Sequence, residues 1–128
     1  MSLTPKARLL YAEDDPDTRE MIVVLLEREN LEVVSPETLE KFLQLARDEA
    51  WDLFMLDTWM PQMSGFEICS KIKEFDSDTP IVFYSAAALA TDKKKAFECG
   101  AFDYFVKPIP IEELIKGIHA AIASRPSL

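Results

Sequence analysis

Four polar positions interrupt the apolar runs of this sequence, and their residue types are those of phosphate and metal chemistry. Glu13-Asp14 follows Arg8-Leu9-Leu10-Tyr11-Ala12, Asp57 follows Leu53-Phe54-Met55-Leu56, Ser85 follows Ile81-Val82-Phe83-Tyr84, and Lys107 follows a run from Phe102 to Val106. Such short apolar runs read as strands buried on both faces of a parallel sheet. Each polar residue then stands at the carboxyl end of a strand, the edge where open α/β sheets bind their ligands. If the first and third strands are neighbours, Glu13 and Asp14 face Asp57 across a crevice. Carboxylates that close together repel, and the site asks for a cation. With neither histidine nor thiolate among the donors, the set suits Mg²⁺, which keeps several waters and leaves room for phosphate oxygens. Lys107 supplies a second, fixed positive charge. A carboxylate nucleophile, a hard divalent ion and a lysine are the parts of a phosphoryl-transfer site, with an acyl phosphate on Asp57 as product. Ser85 would donate its hydroxyl to a phosphoryl oxygen and so tie the fourth strand to the modification state. Taken alone, an aspartate after a strand also opens loops or caps helices. Its company decides between the two readings.

The elements that must position these residues follow from periodicity and punctuation. Asp15-Pro16 reads as an N-cap followed by proline at the first helical position, opening a helix whose apolar side includes Ile22, Leu25 and Leu26. Leu31 to Val34 is a short strand, and its polar Glu32 suggests a sheet edge. Ser35-Pro36 repeats the cap-then-proline device ahead of a helix marked by Leu39, Phe42, Leu43 and Ala46. After the strand that ends at Asp57, Pro61 and Gly65 punctuate a loop, and Phe66, Cys69 and Ile72 stripe a third helix. Ala86 to Glu98 predicts a fourth helix with a weak stripe of Leu89, Ala90 and Phe97, ended by Gly100. This should be the least firmly packed helix. Pro110 opens the last helix, striped by Ile111, Leu114, Ile115, Ile118 and Ile122 and weakened by Gly117. Five strands alternating with five helices imply an α/β fold: one doubly wound five-stranded parallel sheet of order 2-1-3-4-5, with helices on both faces.

Composition bounds the function. A chain of 128 residues is one domain's worth, expected over 6–124, with flexible ends at 1–5 and 125–128. No apolar run reaches the length of a membrane span, and the N-terminus shows no basic-then-apolar signal pattern, so a soluble, cytoplasmic protein is expected. A formal net charge of -9 repels phosphate backbones and anionic lipid, which argues against direct binding to nucleic acid or membrane. Cys69 and Cys99 lie far apart without a C-x-x-C pairing and read as reduced thiols.

The ordered set of Glu13-Asp14, Asp57-Thr58-Trp59-Met60-Pro61, Gly65, Ser85-Ala86 and Gly100-Ala101-Phe102-Asp103-Tyr104 leading to Lys107-Pro108 resembles the receiver domains of bacterial two-component response regulators. The likeness runs from Arg8 to about Ser124. It implies that Asp57 accepts a phosphoryl group from a histidine kinase or phosphotransfer protein. It also implies that Asp14 and Asp57 ligate Mg²⁺ with help from the backbone carbonyl of Trp59, while Glu13 holds a metal-bound water. By the same resemblance Tyr104 is the aromatic switch that turns inward when Ser85 engages phosphate, and Lys107-Pro108 is a cis peptide. The signal would pass through the surface of the fourth helix, fifth strand and fifth helix to a downstream protein or output domain, the receiver acting as a monomer or a phosphorylation-dependent dimer. Such a protein is not an enzyme acting on others; it assists only its own phosphorylation and dephosphorylation. Serine stands at position 85 where threonine is slightly more usual, and the hydroxyl is kept. Trp59 and Ala87 occupy positions that tune dephosphorylation in the family, and neither side chain orients a water, so slow self-hydrolysis is expected.

Rival readings fit the residues less well. A flavodoxin-like nucleotide binder needs phosphate-binding amides in its first loop, where Glu13-Asp14-Asp15 would repel the ligand. An aspartyl-nucleophile phosphatase wants a second acid two residues after Asp57, and Trp59 stands there. A receiver that signals without phosphorylation is opposed by the complete set of site residues. Lys93-Lys94-Lys95 reads as a solvated helix face, and His119 as a lone helical histidine, structural or solvent-facing.

Overall fold

A computed structural model of the protein describes residues 6–125. The chain alternates β1 (Ala7–Ala12), α1 (Pro16–Glu27), β2 (Leu31–Val34), α2 (Leu39–Asp48), β3 (Leu53–Leu56), α3 (Gly65–Phe75), β4 (Ile81–Ser85), α4 (Ala90–Glu98), β5 (Asp103–Val106) and α5 (Ile111–Ala123). The strands form one parallel sheet of order β2-β1-β3-β4-β5, as expected, with β2 at an edge. Among the described residues no helix is long and apolar enough to cross a membrane.

Successive side chains on a strand point to opposite faces, so the continuous apolar runs feed two cores at once. Leu10, Phe54, Leu56, Ile81 and Phe83 pack on one face with Phe42 of α2 and Phe66, Ile68 and Ile72 of α3. Leu9, Tyr11, Leu53, Met55, Val82 and Phe105 pack on the other with Ile22 and Leu26 of α1 and Leu114 and Ile118 of α5. Each fully buried large apolar side chain contributes about 1.5–3 kcal/mol, which is ample to hold such short strands in register. Gly117, expected only to weaken α5, has a packing reason: a Cβ there would collide with the ring of Phe105.

Helix starts depart from expectation in two places. Asp15 does cap α1, its carboxylate accepting the Thr18 amide at 3.0 Å with Pro16 in the first turn. Ser35, by contrast, caps nothing. Its hydroxyl donates to the Tyr11 carbonyl at 2.9 Å, and the N-cap of α2 is Thr38, which accepts from the Lys41 amide at 3.1 Å. The fourth helix begins at Ala90, not Ala86, and the expected stripe points outward: Leu89 is 69% and Phe97 49% exposed. Asp92 and Ala96 are the residues of α4 that turn inward. Asp92 tolerates burial because its carboxylate accepts the Leu89 amide at 3.2 Å, and Ala96 is small enough to let the helix approach the sheet. Gly100, with φ of 103°, closes α4, the Gly100 amide bonding Phe97 O and the Ala101 amide Ala96 O, both at 3.0 Å.

Of the ends expected to be flexible, 1–5 and 126–128 lie outside the described residues. Arg125, also expected to be loose, donates to the Trp51 carbonyl at 3.0 Å and lies 3.7 Å from an Asp52 oxygen.

Candidate functional site

Strand register places the site residues. Ala12 pairs with Leu56 across β1 and β3, and the Asp57 amide donates to the Ala12 carbonyl at 3.1 Å, so Glu13 and Asp57 leave adjacent strands side by side. Ser85 pairs with Val106, and the Lys107 amide donates to the Ser85 carbonyl at 2.8 Å. The four strand ends therefore open on one edge. After Asp57 the chain must turn back sharply toward α3, and Gly65 permits this: a Cβ there would collide with the Asp57 carbonyl oxygen and the Phe83 ring.

Glu13, Asp14 and Asp57 each bring a carboxylate oxygen within 4.8 Å of the others. Glu13 is buried, Asp57 half-buried and Asp14 exposed, a gradient from the interior outward. Lys107 Nζ reaches into this group, 2.5 Å from Glu13 Oε1 and 3.5 Å from Asp57 Oδ2, with the Tyr84 ring centroid 5.0 Å away. Burial works against the ammonium charge, but the hydrogen bond to Glu13 and the two carboxylates outweigh it and hold the Lys107 pKa above its ordinary value. Burial pushes the Glu13 carboxyl up, helped by the Asp57 charge and opposed by Lys107. Three hard oxygen donors clustered beside one lysine fit a hard divalent cation, and they offer nothing to a soft one.

Ser85 lies one strand away from Asp57, its Oγ 2.5 Å from Thr58 Oγ1 and accepting the Ala87 amide at 3.1 Å. Tyr104 is buried, stacked on Phe83 at 5.7 Å between centroids, and its hydroxyl donates to the Ala87 carbonyl at 2.5 Å. Trp59 is 56% exposed and stands edge-on to Phe66, 5.6 Å between centroids. The Lys107-Pro108 bond is cis.

Two contributors went unrecognised in the sequence. In the sequence Thr58 reads only as part of the run after Asp57, yet its hydroxyl pairs with that of Ser85 and its amide donates to Asp57 Oδ1 at 2.7 Å. Tyr11, which reads in the sequence as a strand residue, donates its hydroxyl to Glu13 Oε1 at 3.0 Å. The usable signal for Tyr11 was its spacing, two residues before Glu13 in an otherwise aliphatic run, which puts both on one side of an extended chain.

Comparisons with known proteins give the family and the fold. The family model described as the response regulator receiver domain matches residues 9–119. Heme response regulator HssR of Staphylococcus saprophyticus is 34% identical over 113 residues, covering 88% of this chain and 50% of that protein. Response regulator ArlR of the same organism is 34% identical over 119 residues, covering 93% and 54%. The chain thus spans about half the length of these curated relatives. Among solved structures, the non-phosphorylated HemR receiver domain of Leptospira biflexa superposes with a TM-score of 0.87 at 31% identity, covering 96% of this chain and all of that one.

Proposed function

The chain belongs to the response regulator receiver domain family of two-component signalling, and on that premise we propose that Asp57 is its phosphoacceptor, charged in a Mg²⁺-dependent reaction by a phosphohistidine donor. The observation that carries the proposal is the convergence of Glu13, Asp14, Asp57 and Lys107 at the ends of β1, β3 and β5. An Asp57 oxygen forms the new bond to phosphorus as the donor's phosphorus–nitrogen bond breaks, and the imidazole leaves with a proton. Lys107 offers its ammonium to the phosphoryl oxygens where their charge is concentrated. Asp14, Asp57 and the Trp59 carbonyl would hold Mg²⁺, with Glu13 reaching it through water; when bound, the ion supplies further positive charge to the phosphoryl group.

Ser85 then turns its hydroxyl from Thr58 to a phosphoryl oxygen, while Tyr104, already buried against Phe83 and bonded to the Ala87 carbonyl, ties the β4–α4 loop to that change. Because Leu89 and Phe97 already face outward, a small shift of α4 changes what the α4-β5-α5 surface presents to a partner or output domain. Histidine kinase or phosphotransfer protein upstream, a downstream protein or output domain, a cytoplasmic location, and monomer or phosphorylation-dependent dimer are all parts of this proposal. It gives the chain no catalytic turnover beyond its own phosphorylation and dephosphorylation. The test is incubation with acetyl phosphate and Mg²⁺ followed by intact-mass measurement: one phosphoryl group is expected on the wild type and none on Asp57→Asn.

A further inference from the structure

We infer that Tyr11 is a positioning residue of the phosphoacceptor site, its hydroxyl holding Glu13 in place so that Lys107 can pass from Glu13 to an arriving phosphoryl group. This presupposes the phosphorylation reading above and adds to it a residue outside the expected set. Tyr11 is 0% exposed in β1, on the sheet face covered by α1 and α5. Its hydroxyl donates to Glu13 Oε1 at 3.0 Å, the same oxygen that takes Lys107 Nζ at 2.5 Å. Glu13 Oε2 accepts the Asp15 amide at 3.3 Å. One carboxylate oxygen thus carries two donors, a fixed neutral one from below and a mobile charged one.

A buried carboxylate oxygen stripped of its donors is costly. The ammonium of Lys107, already 3.5 Å from Asp57 Oδ2, is the charge a phosphoryl group on Asp57 would recruit. As Lys107 leaves, Tyr11 remains on Glu13 Oε1 and lowers the cost of the transfer. With phenylalanine at this position Lys107 would be the only side-chain donor left to that oxygen and would be held there more tightly. The price of recruiting it would fall on anion binding at Asp57, a place where mere core packing has no influence.

The test compares wild type with Tyr11→Phe, which keeps the ring and loses the hydroxyl, by titrating beryllium fluoride into each protein at saturating Mg²⁺ and following tryptophan fluorescence. The variant should bind roughly 3- to 10-fold more weakly, the equivalent of a hydrogen bond of ordinary net strength, and should need a correspondingly higher acetyl phosphate concentration for half-maximal phosphorylation. Equal or tighter binding by the folded variant overturns the inference and leaves Asp57 phosphorylation standing. Failure of the wild type to bind beryllium fluoride would instead sink the phosphorylation reading. Should Tyr11→Phe not fold, wild-type protein carrying ¹³C at tyrosine Cζ gives the same answer, the Tyr11 signal being identified by elimination with Tyr84→Phe and Tyr104→Phe. That signal should move when beryllium fluoride is added in Mg²⁺ buffer, and a stationary one counts against the idea.

Discussion

The hydroxyl oxygens of Thr58 and Ser85 lie 2.5 Å apart, both side chains buried. They come from different strand ends, brought level because Leu56 of β3 pairs with Phe83 of β4, each two positions earlier. Ser85, whose proposed task is to grip a phosphoryl oxygen, is therefore already engaged and must exchange one partner for another. Thr58→Val keeps the shape and removes one hydroxyl. Stability should fall by about 1–2 kcal/mol, the cost of a lost buried hydrogen bond, seen as a lower urea midpoint, while acetyl phosphate still labels Asp57. An unchanged midpoint would mean the pair contributes nothing to the fold.

Gly65 is a steric requirement of the turn that follows Asp57. Since a Cβ there would meet the Asp57 carbonyl and the Phe83 ring, Gly65→Ala must push the β3 end away from α3. A loss of about 1–3 kcal/mol is expected, as for other overpacked positions, together with weaker Mg²⁺-dependent labelling of Asp57. Full labelling at wild-type stability would show that the loop yields freely.

The pH dependence of stability has a contributor far from the site. Burial pushes the Asp76 carboxyl up, but hydrogen bonds from Thr79 and from the Asp78 amide outweigh it and hold the group below its ordinary value. A lowered folded pKa means that its stabilisation is present above the unfolded value, near 3.9, and disappears as pH falls through the lower folded one. Asp76→Asn should thus be less stable than wild type at neutral pH and should converge with it in acid. Urea midpoints measured from neutrality down to the folded acid limit test this, and a gap that stays constant with pH would contradict it.

Once formed, the acyl phosphate should be long-lived. Ala87 has no polar side-chain atom, and the Trp59 indole, edge-on to Phe66, can shield the group but cannot orient a water for in-line attack. Following the phosphorylated species by intact mass in Mg²⁺ buffer should give a half-life of minutes or longer. Decay within seconds would show that another group positions the water.

Much of this was legible in the residues. The strands announced themselves as apolar runs cut off by Glu13, Asp57, Ser85 and Lys107, because a strand buried on both faces has no room for a polar residue until it leaves the sheet. Asp15-Pro16 and Gly100 were readable because capping is local chemistry. Ser35-Pro36 misled because the same residues also suit an extended turn, where Ser35 found the Tyr11 carbonyl instead of a helix amide. The α4 stripe misled because a hydrophobic side chain on a helix need not be a buried one. Its larger apolar residues Leu89 and Phe97 face outward, and a capped Asp92 and a small Ala96 face the sheet. The Thr58–Ser85 and Tyr11–Glu13 contacts depend on strand register and side-chain direction, which no local pattern specifies.

The central claim is that Asp57, and no other side chain, takes a phosphoryl group with the help of a divalent cation held beside it. Its most direct measurement is intact mass and peptide mapping after acetyl phosphate treatment, with Mg²⁺ and with the ion chelated. A single phosphoryl adduct located at Asp57, abolished by chelation and by Asp57→Asn, is the predicted result. An adduct on another residue, or none on a folded wild-type protein with Mg²⁺ present, would contradict it.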